Sequence, residues 1–131
     1  MNYKVYLTWE QVNDLVDILK QKVLDELPEI GSVMGIARGG LIPAVMLSHK
    51  LGVPYTDLID PNTLVVDDIC DSGKTIKESP GAYTATLHYK KSAIVKPDVY
   101  ASLLVNERQW LVYPWENEDS NMLQGYLDKQ E

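Results

Sequence analysis

The chemistry of this sequence is concentrated in one stretch, Leu64-Val65-Val66-Asp67-Asp68-Ile69-Cys70-Asp71-Ser72-Gly73-Lys74-Thr75. An apolar run delivers two adjacent carboxylates, a third follows three residues after the second, and a small-residue turn then opens a helix. Successive residues of a strand point to opposite sides, so Asp67 and Asp68 need not act alike. The Asp71-to-Thr75 turn offers backbone N–H groups, the Ser72 and Thr75 hydroxyls and the positive end of a helix, a combination that suits a phosphate. Each charge-assisted hydrogen bond there contributes about 1.5–3 kcal/mol.

Two simpler explanations account for less. Gly73-Lys74-Thr75 has the ending of a P-loop, but that motif needs Gly five positions before Gly73, and Asp68 stands there. A strand end whose Asp caps the next helix accounts for one carboxylate but not for three. A second loop lies upstream, in Gly35-Ile36-Ala37-Arg38-Gly39-Gly40-Leu41-Ile42-Pro43-Ala44. Gly39-Gly40 allows the backbone close to an anion, and Arg38 offers a forked donor to phosphate oxygens. Alone, Arg-Gly-Gly reads as a turn with a solvated Arg; the acidic block downstream gives it a reason to be a site.

The elements that must position these loops follow from periodicity. Thr8 and Gln11 have capping-box spacing, and Val12, Leu15, Val16, Leu19, Val23 and Leu27 form one apolar stripe, so a helix of 18 or so residues is expected, ended by Pro28 and Gly31. Ser32 to Ala37 reads as a buried strand, and Leu41 to Leu51 as a helix closed by Gly52 with Pro43 in its first turn. Val53 to Ile59 is expected as a strand before the turn Asp60-Pro61-Asn62, and Thr63 to Asp67 as a nearly continuous apolar strand. Asp68 to Gly73 should be loop, Lys74 to Ser79 a short helix stopped by Pro80-Gly81, and Tyr83 to Tyr89, Val99 to Val105 and Gln109 to Tyr113 strands. Alternating strands and helices with fully apolar strands predict an α/β fold, a Rossmann-like central parallel sheet with both faces covered. Ligands in such sheets sit at the carboxyl ends of the strands, where both loops emerge.

Composition sets the frame. The 131 residues carry 12 Lys+Arg against 19 Asp+Glu, a net charge of −7 that disfavours nonspecific contact with nucleic acid or anionic membranes. At 45% hydrophobic and 24% charged the chain reads as one globular domain over residues 1–131. The single cysteine, Cys70, excludes an internal disulfide and suits a reducing compartment. No apolar run reaches the roughly 20 residues that span a bilayer, and the N-terminal residues lead into no signal-peptide core, so a cytoplasmic location is expected. His49 and His88 lack partners at metal-ligand spacing and read as structural.

The acidic block resembles the phosphoribosyl-pyrophosphate (PRPP) signature of type I phosphoribosyltransferases: apolar strand, two acids, two spacers, then Asp-Thr/Ser-Gly-Lys/Gly-Thr, with Ser72 a mild variant. The Gly35-to-Ala44 stretch resembles the same family's pyrophosphate loop. Trp110-Leu111-Val112-Tyr113-Pro114-Trp115-Glu116 is similar to the Trp-x-x-x-Pro-Trp-Asp segment of its xanthine-guanine members, with Glu116 in place of Asp, and Leu47-to-Gly52 and Lys96-Pro97-Asp98 fit that subfamily's layout. Core filling is the plain alternative for either tryptophan alone.

The resemblance implies the type I fold with a small hood from the chain ends. It also implies displacement of magnesium-bound pyrophosphate from PRPP by a 6-oxopurine (xanthine, guanine or hypoxanthine), with inversion at the anomeric carbon. Asp67 and Asp68 would bind the ribose hydroxyls, directly or through Mg²⁺, and Asp71 would face the purine N7. Ser72, Gly73, Lys74 and Thr75 would hold the 5′-phosphate; Arg38 and the Gly39 N–H would take the pyrophosphate. Leu111 or Trp110 would pack on the purine, and Lys90 would reach its 6-oxo group, with Lys91 an adjacent alternative and a solvated surface charge the plain reading of either. Family members carry a long loop before the acidic block that closes over the reaction; here Tyr55 to Thr63 is all there is. A purine-salvage transferase, in keeping with the family a homo-oligomer (dimer or tetramer), is therefore one expectation. A non-catalytic PRPP- or nucleotide-binding domain of the same fold is the other.

Overall fold

The computed structural model describes residues 2–79 and 82–116. The elements run β1 (Tyr3–Tyr6), α1 (Trp9–Glu26), β2 (Ser32–Gly35), α2 (Leu41–Leu51), β3 (Thr63–Cys70), α3 (Lys74–Lys77), β4 (Tyr83–Lys90), β5 (Val99–Leu104) and β6 (Gln109–Val112). Four strands form a parallel sheet in the order β2-β3-β4-β5, while β1 and β6 pair in parallel as a separate two-stranded sheet. The chain ends thus build the small hood.

The long helix begins where its capping box places it: the Gln11 N–H donates to Thr8 Oγ1 (3.1 Å) and the Thr8 N–H to Gln11 Oε1 (2.8 Å). Val12, Val16, Leu19 and Val23 are buried along one stripe. α1 packs on β4, β5 and α2, while α2 packs on β2 and β3. Both long helices therefore lie over the face that carries Val33, Leu64, Val66, Ala85, Leu87 and Val99, which join them in one core. The opposite face carries Thr63, Val65, Thr84 and Thr86, also buried. Gly52, at φ +69°, closes α2 in a left-handed conformation that L side chains rarely adopt.

Several boundaries differ from the sequence expectation. β1 gives no periodic signal in four residues and was not foreseen. The strand expected over Val53–Ile59 shrinks to one bridge, Val33 to Tyr55. There the Val33 N–H donates to Pro54 O (3.0 Å) and the Thr56 N–H to Val33 O (2.9 Å). Pro54 has no N–H to extend the ladder, and Thr56 Oγ1 then accepts the Leu58 N–H (3.0 Å) and turns the chain away. β3 runs three residues past Asp67 because β4 stays paired with it as far as Cys70 and Tyr89, so Asp68 is strand rather than loop. β2 ends at Gly35, since the Ile36 carbonyl accepts the Gly40 N–H (2.8 Å) in a turn. α3 is shorter than expected: its end tightens into a turn in which the Ser79 N–H donates to Ile76 O (3.2 Å). The stop signal Pro80-Gly81 lies outside the described residues. Among the described residues no helix is long and apolar enough to cross a membrane.

Candidate functional site

A cavity of about 570 Å³ opens where β2 and β3 end, within the range of small-molecule sites. Its wall takes Arg38 and Gly39 from the loop after β2, Asp67 and Asp68 from β3, and Asp71, Ser72, Gly73 and Thr75 from the turn after β3. Lys90 at the end of β4 and Trp110 and Leu111 on the hood complete it. Lys74, which the resemblance gives to the 5′-phosphate, takes no part in the wall, and its side chain is exposed.

Glycine decides how closely the first loop approaches the acids. A Cβ on Gly39 would lie 2.6 Å from Asp68 Cγ, and one on Gly40 would meet Val66 O and lie 2.9 Å from Asp67 Cα. A Cβ on Gly35 would stand 2.7 Å from Gly40 O. The loop is thus laid directly on the end of β3, a use of Gly35 and Gly40 that the bare motif did not assign. The Ala37–Arg38 peptide is cis.

The two adjacent acids have different surroundings. Asp67 Oδ1 accepts the Asp68 N–H (2.9 Å), and Asp68 Oδ1 accepts the Ile69 N–H (2.8 Å). Burial pushes the Asp68 carboxyl above the usual carboxylate range, while a side-chain hydrogen bond with Asp67 and the Ile69 N–H pull the other way. Two adjacent carboxylates repel one another unless a proton or a cation offsets their charge. Among the described residues no group of three or more His, Cys, Asp or Glu forms a protein-only metal cage. Two hard oxygen ligands without a cage suit a cation such as Mg²⁺, which keeps waters and takes further oxygens from a substrate.

Asp71 and Lys90 meet at 2.9 Å across the cavity wall, with the lysine side chain only 14% exposed and the aspartate 58%. Lys91, the adjacent alternative, is exposed and outside the wall. The turn between them is shaped by Gly73 at φ +88°, where a Cβ would also press on Val95 N at 2.9 Å. Ser72 O accepts the Ile94 N–H (2.8 Å), so the segment after β4 holds the turn in place. Cys70, buried beneath it, has its thiol pushed up to about 11 by burial and by the charges of Asp67 and Asp71.

The hood closes the opposite side. Leu111 is half-buried and Trp110 is 41% exposed. The chain then bends back through Tyr113, Trp115 and Glu116, all three lining the cavity. Burial, and after it Asp68, raise the Glu116 carboxyl; the Tyr113 N–H and, more weakly, Arg38 oppose them.

No family model matches the chain. Against solved structures, it is 33% identical to the purine phosphoribosyltransferase of Pyrococcus horikoshii, with 87% of this chain and 95% of that one superposed at a TM-score of 0.72. The chain belongs to the purine phosphoribosyltransferases. Among curated relatives, the xanthine-guanine phosphoribosyltransferase of Cereibacter sphaeroides is 27% identical over 85% of this chain and 86% of its own length. The Helicobacter pylori xanthine-guanine-hypoxanthine phosphoribosyltransferase shares the fold at a TM-score of 0.75 and 20% identity, over 93% and 99% of the two chains. In this phosphoribosyltransferase the loops that carry the family's two motifs converge on one cavity, and the hood built by the chain ends stands over it.

Proposed function

We propose that the chain transfers the 5-phosphoribosyl group of PRPP to a 6-oxopurine, xanthine, guanine or hypoxanthine, and releases pyrophosphate. The observation that carries this reading is the Asp71–Lys90 pair set in the cavity wall between the Ser72-to-Thr75 turn and the hood. A purine placed there presents a 6-oxo acceptor to the lysine ammonium and N7 to the aspartate. A base lacking the oxo group would offer the lysine no acceptor. Leu111 and Trp110 would cover the ring face.

The remaining residues divide the PRPP molecule between them. The Ser72-to-Thr75 turn holds the 5′-phosphate through backbone N–H groups and hydroxyls, with Lys74 adding charge from outside the wall. Asp67 and Asp68 orient the ribose hydroxyls and would hold Mg²⁺, which when bound neutralises charge on the leaving pyrophosphate. Arg38 and the Gly39 N–H receive that pyrophosphate. The purine nitrogen forms its bond to the anomeric carbon as the bond to pyrophosphate oxygen breaks, with inversion, and Asp71 manages the proton at N7. Catalysis on this scheme is positioning and electrostatics.

A second reading is favoured by one observation. The connection from Thr56 to Asn62 is short and locked in tight turns, Asn62 N–H donating to Asp60 Oδ1 at 2.7 Å, so it offers no long lid to exclude water. A domain that binds PRPP or a nucleotide without turning it over would have this form. Pyrophosphate release measured with Mg²⁺, PRPP and xanthine, guanine, hypoxanthine, adenine, orotate and uracil separates the two. Turnover of one or more 6-oxopurines supports the transferase, and a flat panel with a PRPP-dependent melting shift supports the binding domain. A pyrimidine acceptor would refute the role given to the hood.

A further inference from the structure

Tyr113 and His88 have no part in the scheme above, yet they occupy the joint on which its geometry depends. Among the described residues the hood is a two-stranded sheet with no strand pairing to the main sheet, and a two-stranded unit is marginal by itself. Besides its chain connections to α1 and β5, its position over Lys90 and Asp71 is set by side chains that cross the gap. Two hydrogen bonds that cross it meet at one atom. The Tyr113 hydroxyl lies 2.8 Å from His88 Nδ1 on β4 and 3.2 Å from the backbone carbonyl of Asp68 on β3. Both side chains are buried, at 2% and 7% exposure.

The hydroxyl has one proton to give. When it goes to the Asp68 carbonyl, His88 must carry its proton on Nδ1 and donate to the tyrosine oxygen; when it goes to His88, the imidazole accepts. In either arrangement Tyr113 stays pinned to β4. The rest of the hood's return segment is organised on the same residue. The Tyr113 ring stacks on Trp115 (centroids 5.0 Å apart, planes 7° apart), Trp115 packs on Trp9 at the start of α1 (5.9 Å), and the Tyr113 N–H donates to Glu116 Oε1 (2.7 Å). Tyr113 follows Leu111 by two residues on the hood, and His88 precedes Lys90 by two on β4, so each belongs to the same backbone segment as one side of the proposed purine slot.

We infer that the His88–Tyr113 hydrogen bond is a positioning couple for the acceptor base, fixing the separation between Leu111 on the hood and Lys90 on β4. The inference rests on the purine reading of this cavity. It assigns both residues to acceptor positioning, because the PRPP-facing turn is held from elsewhere, through Gly73 and the Ile94 N–H.

The test is steady-state kinetics of Tyr113→Phe, His88→Leu, His88→Asn and the Tyr113→Phe/His88→Leu double variant, each confirmed folded by thermal melting. The acceptor is the 6-oxopurine that the unmodified chain turns over fastest. In His88→Leu, which leaves the Tyr113 hydroxyl its bond to the Asp68 carbonyl, loss of the hydrogen bond is expected to raise KM for the purine about tenfold while KM for PRPP stays within about twofold; Tyr113→Phe should raise the purine KM at least as much. The double variant should be no worse than the poorer single one, the sign of a shared interaction. His88→Asn, whose amide can stand near the Nδ1 position, should recover most of the purine KM. Equal changes in both KM values of His88→Leu, additive effects, or an unchanged purine KM in folded Tyr113→Phe would overturn the inference and leave the transferase reading intact. An unmodified chain that turns over none of the purines would remove both.

Discussion

Replacing Gly39 by alanine separates the site from the scaffold. The new Cβ would sit 2.6 Å from Asp68 Cγ, against a comfortable carbon–carbon separation of about 3.5–4.0 Å, so the carboxyl must move by about 1 Å. Gly39 has no positive φ, so the backbone itself accepts alanine. The obstacle is a side chain, and Asp68 can rotate away, but only by giving up the Ile69 N–H that it accepts at 2.8 Å. That exchange costs about 1 kcal/mol of stability, partly offset by the lower entropy of an unfolded alanine. The functional cost is larger, since about 1 Å of misplacement at a reacting centre reduces turnover about a hundredfold. Gly40→Ala gives the contrast. Its Cβ would meet Val66 O, with Ile36 O at 2.8 Å and Asp67 Cα at 2.9 Å, all backbone atoms that cannot rotate aside. The loop must lift and strain the hydrogen bonds Ile36 N–H to Val66 O and Gly40 N–H to Ile36 O, each 2.8 Å, at about 1–3 kcal/mol together. Pyrophosphate release and thermal melts measured side by side should show Gly39→Ala with a near-normal Tm and little activity, and Gly40→Ala with a clearly lowered Tm. If Gly39→Ala keeps more than about a third of its activity, or loses more stability than Gly40→Ala, the account of the loop resting on Asp68 is wrong.

Three further outcomes follow from single groups. Lys90→Met removes the charged donor proposed for the 6-oxo group and should lower kcat/KM for the purine about 10- to 100-fold, with KM for PRPP changed far less, in the same pyrophosphate assay. Thr86 is fully buried and its Oγ1 has no hydrogen-bond partner among the described residues; Thr86→Val keeps the shape and should raise the Tm by about 3–6 °C in a melting scan. Burial pulls the His88 pKa from 6.5 down to about 4. The unfolded chain therefore binds the extra proton first as pH falls, so this group's contribution to stability is intact above about pH 6.5 and lost on the way to about pH 4, on the order of 3 kcal/mol in all. Denaturant unfolding between those pH values should show the unmodified chain losing stability relative to His88→Leu as the pH falls, and parallel curves would contradict it.

The parts of this molecule that could be read in advance are those where a local rule and the tertiary fold agree. The capping box at Thr8 and Gln11, the stripe from Val12 to Val23 and the apolar run into Asp67 each carry their signal within a few residues, and each stands in the structure as read. The misplaced boundaries share a cause. β3 continues to Cys70, through two acids, because β4 supplies hydrogen-bond partners that no local propensity encodes. The Val53–Ile59 segment has the composition of a strand, but Pro54 and the Thr56 turn leave it one bridge. β1 exists through its pairing with β6, more than a hundred residues later in the chain, beyond the reach of any periodicity argument. The candidate site divides in the same way. Contiguous motifs could be listed residue by residue, whereas the choice of Lys90 over Lys91 depended on strand register, and the Tyr113–His88 contact joins positions 25 apart. A buried histidine on a strand gave one usable hint, since an imidazole excluded from water needs a partner.

The charge of the chain acquires a location from this geometry. Groups of three different kinds around the cavity respond to its acids. The Cys70 thiol is raised first by burial and then by Asp67 and Asp71, the Tyr113 phenol first by burial and then by Asp68 and Asp67, and Glu116 by burial and by Asp68. A cavity whose neighbours all register negative charge repels a polyanion such as PRPP unless positive charge enters with it. Arg38, on the cavity rim, moderates the field at Glu116, and Lys90 is already engaged with Asp71. Among the described residues Arg38 and Lys90 are the cations in the wall, too few to neutralise a diphosphate and a 5′-phosphate together. The adjacent carboxyls of Asp67 and Asp68 are where a divalent cation accompanying the substrate would have most to gain. An acidic floor of this kind would couple the binding of a polyanionic substrate to the binding of the cation that accompanies it.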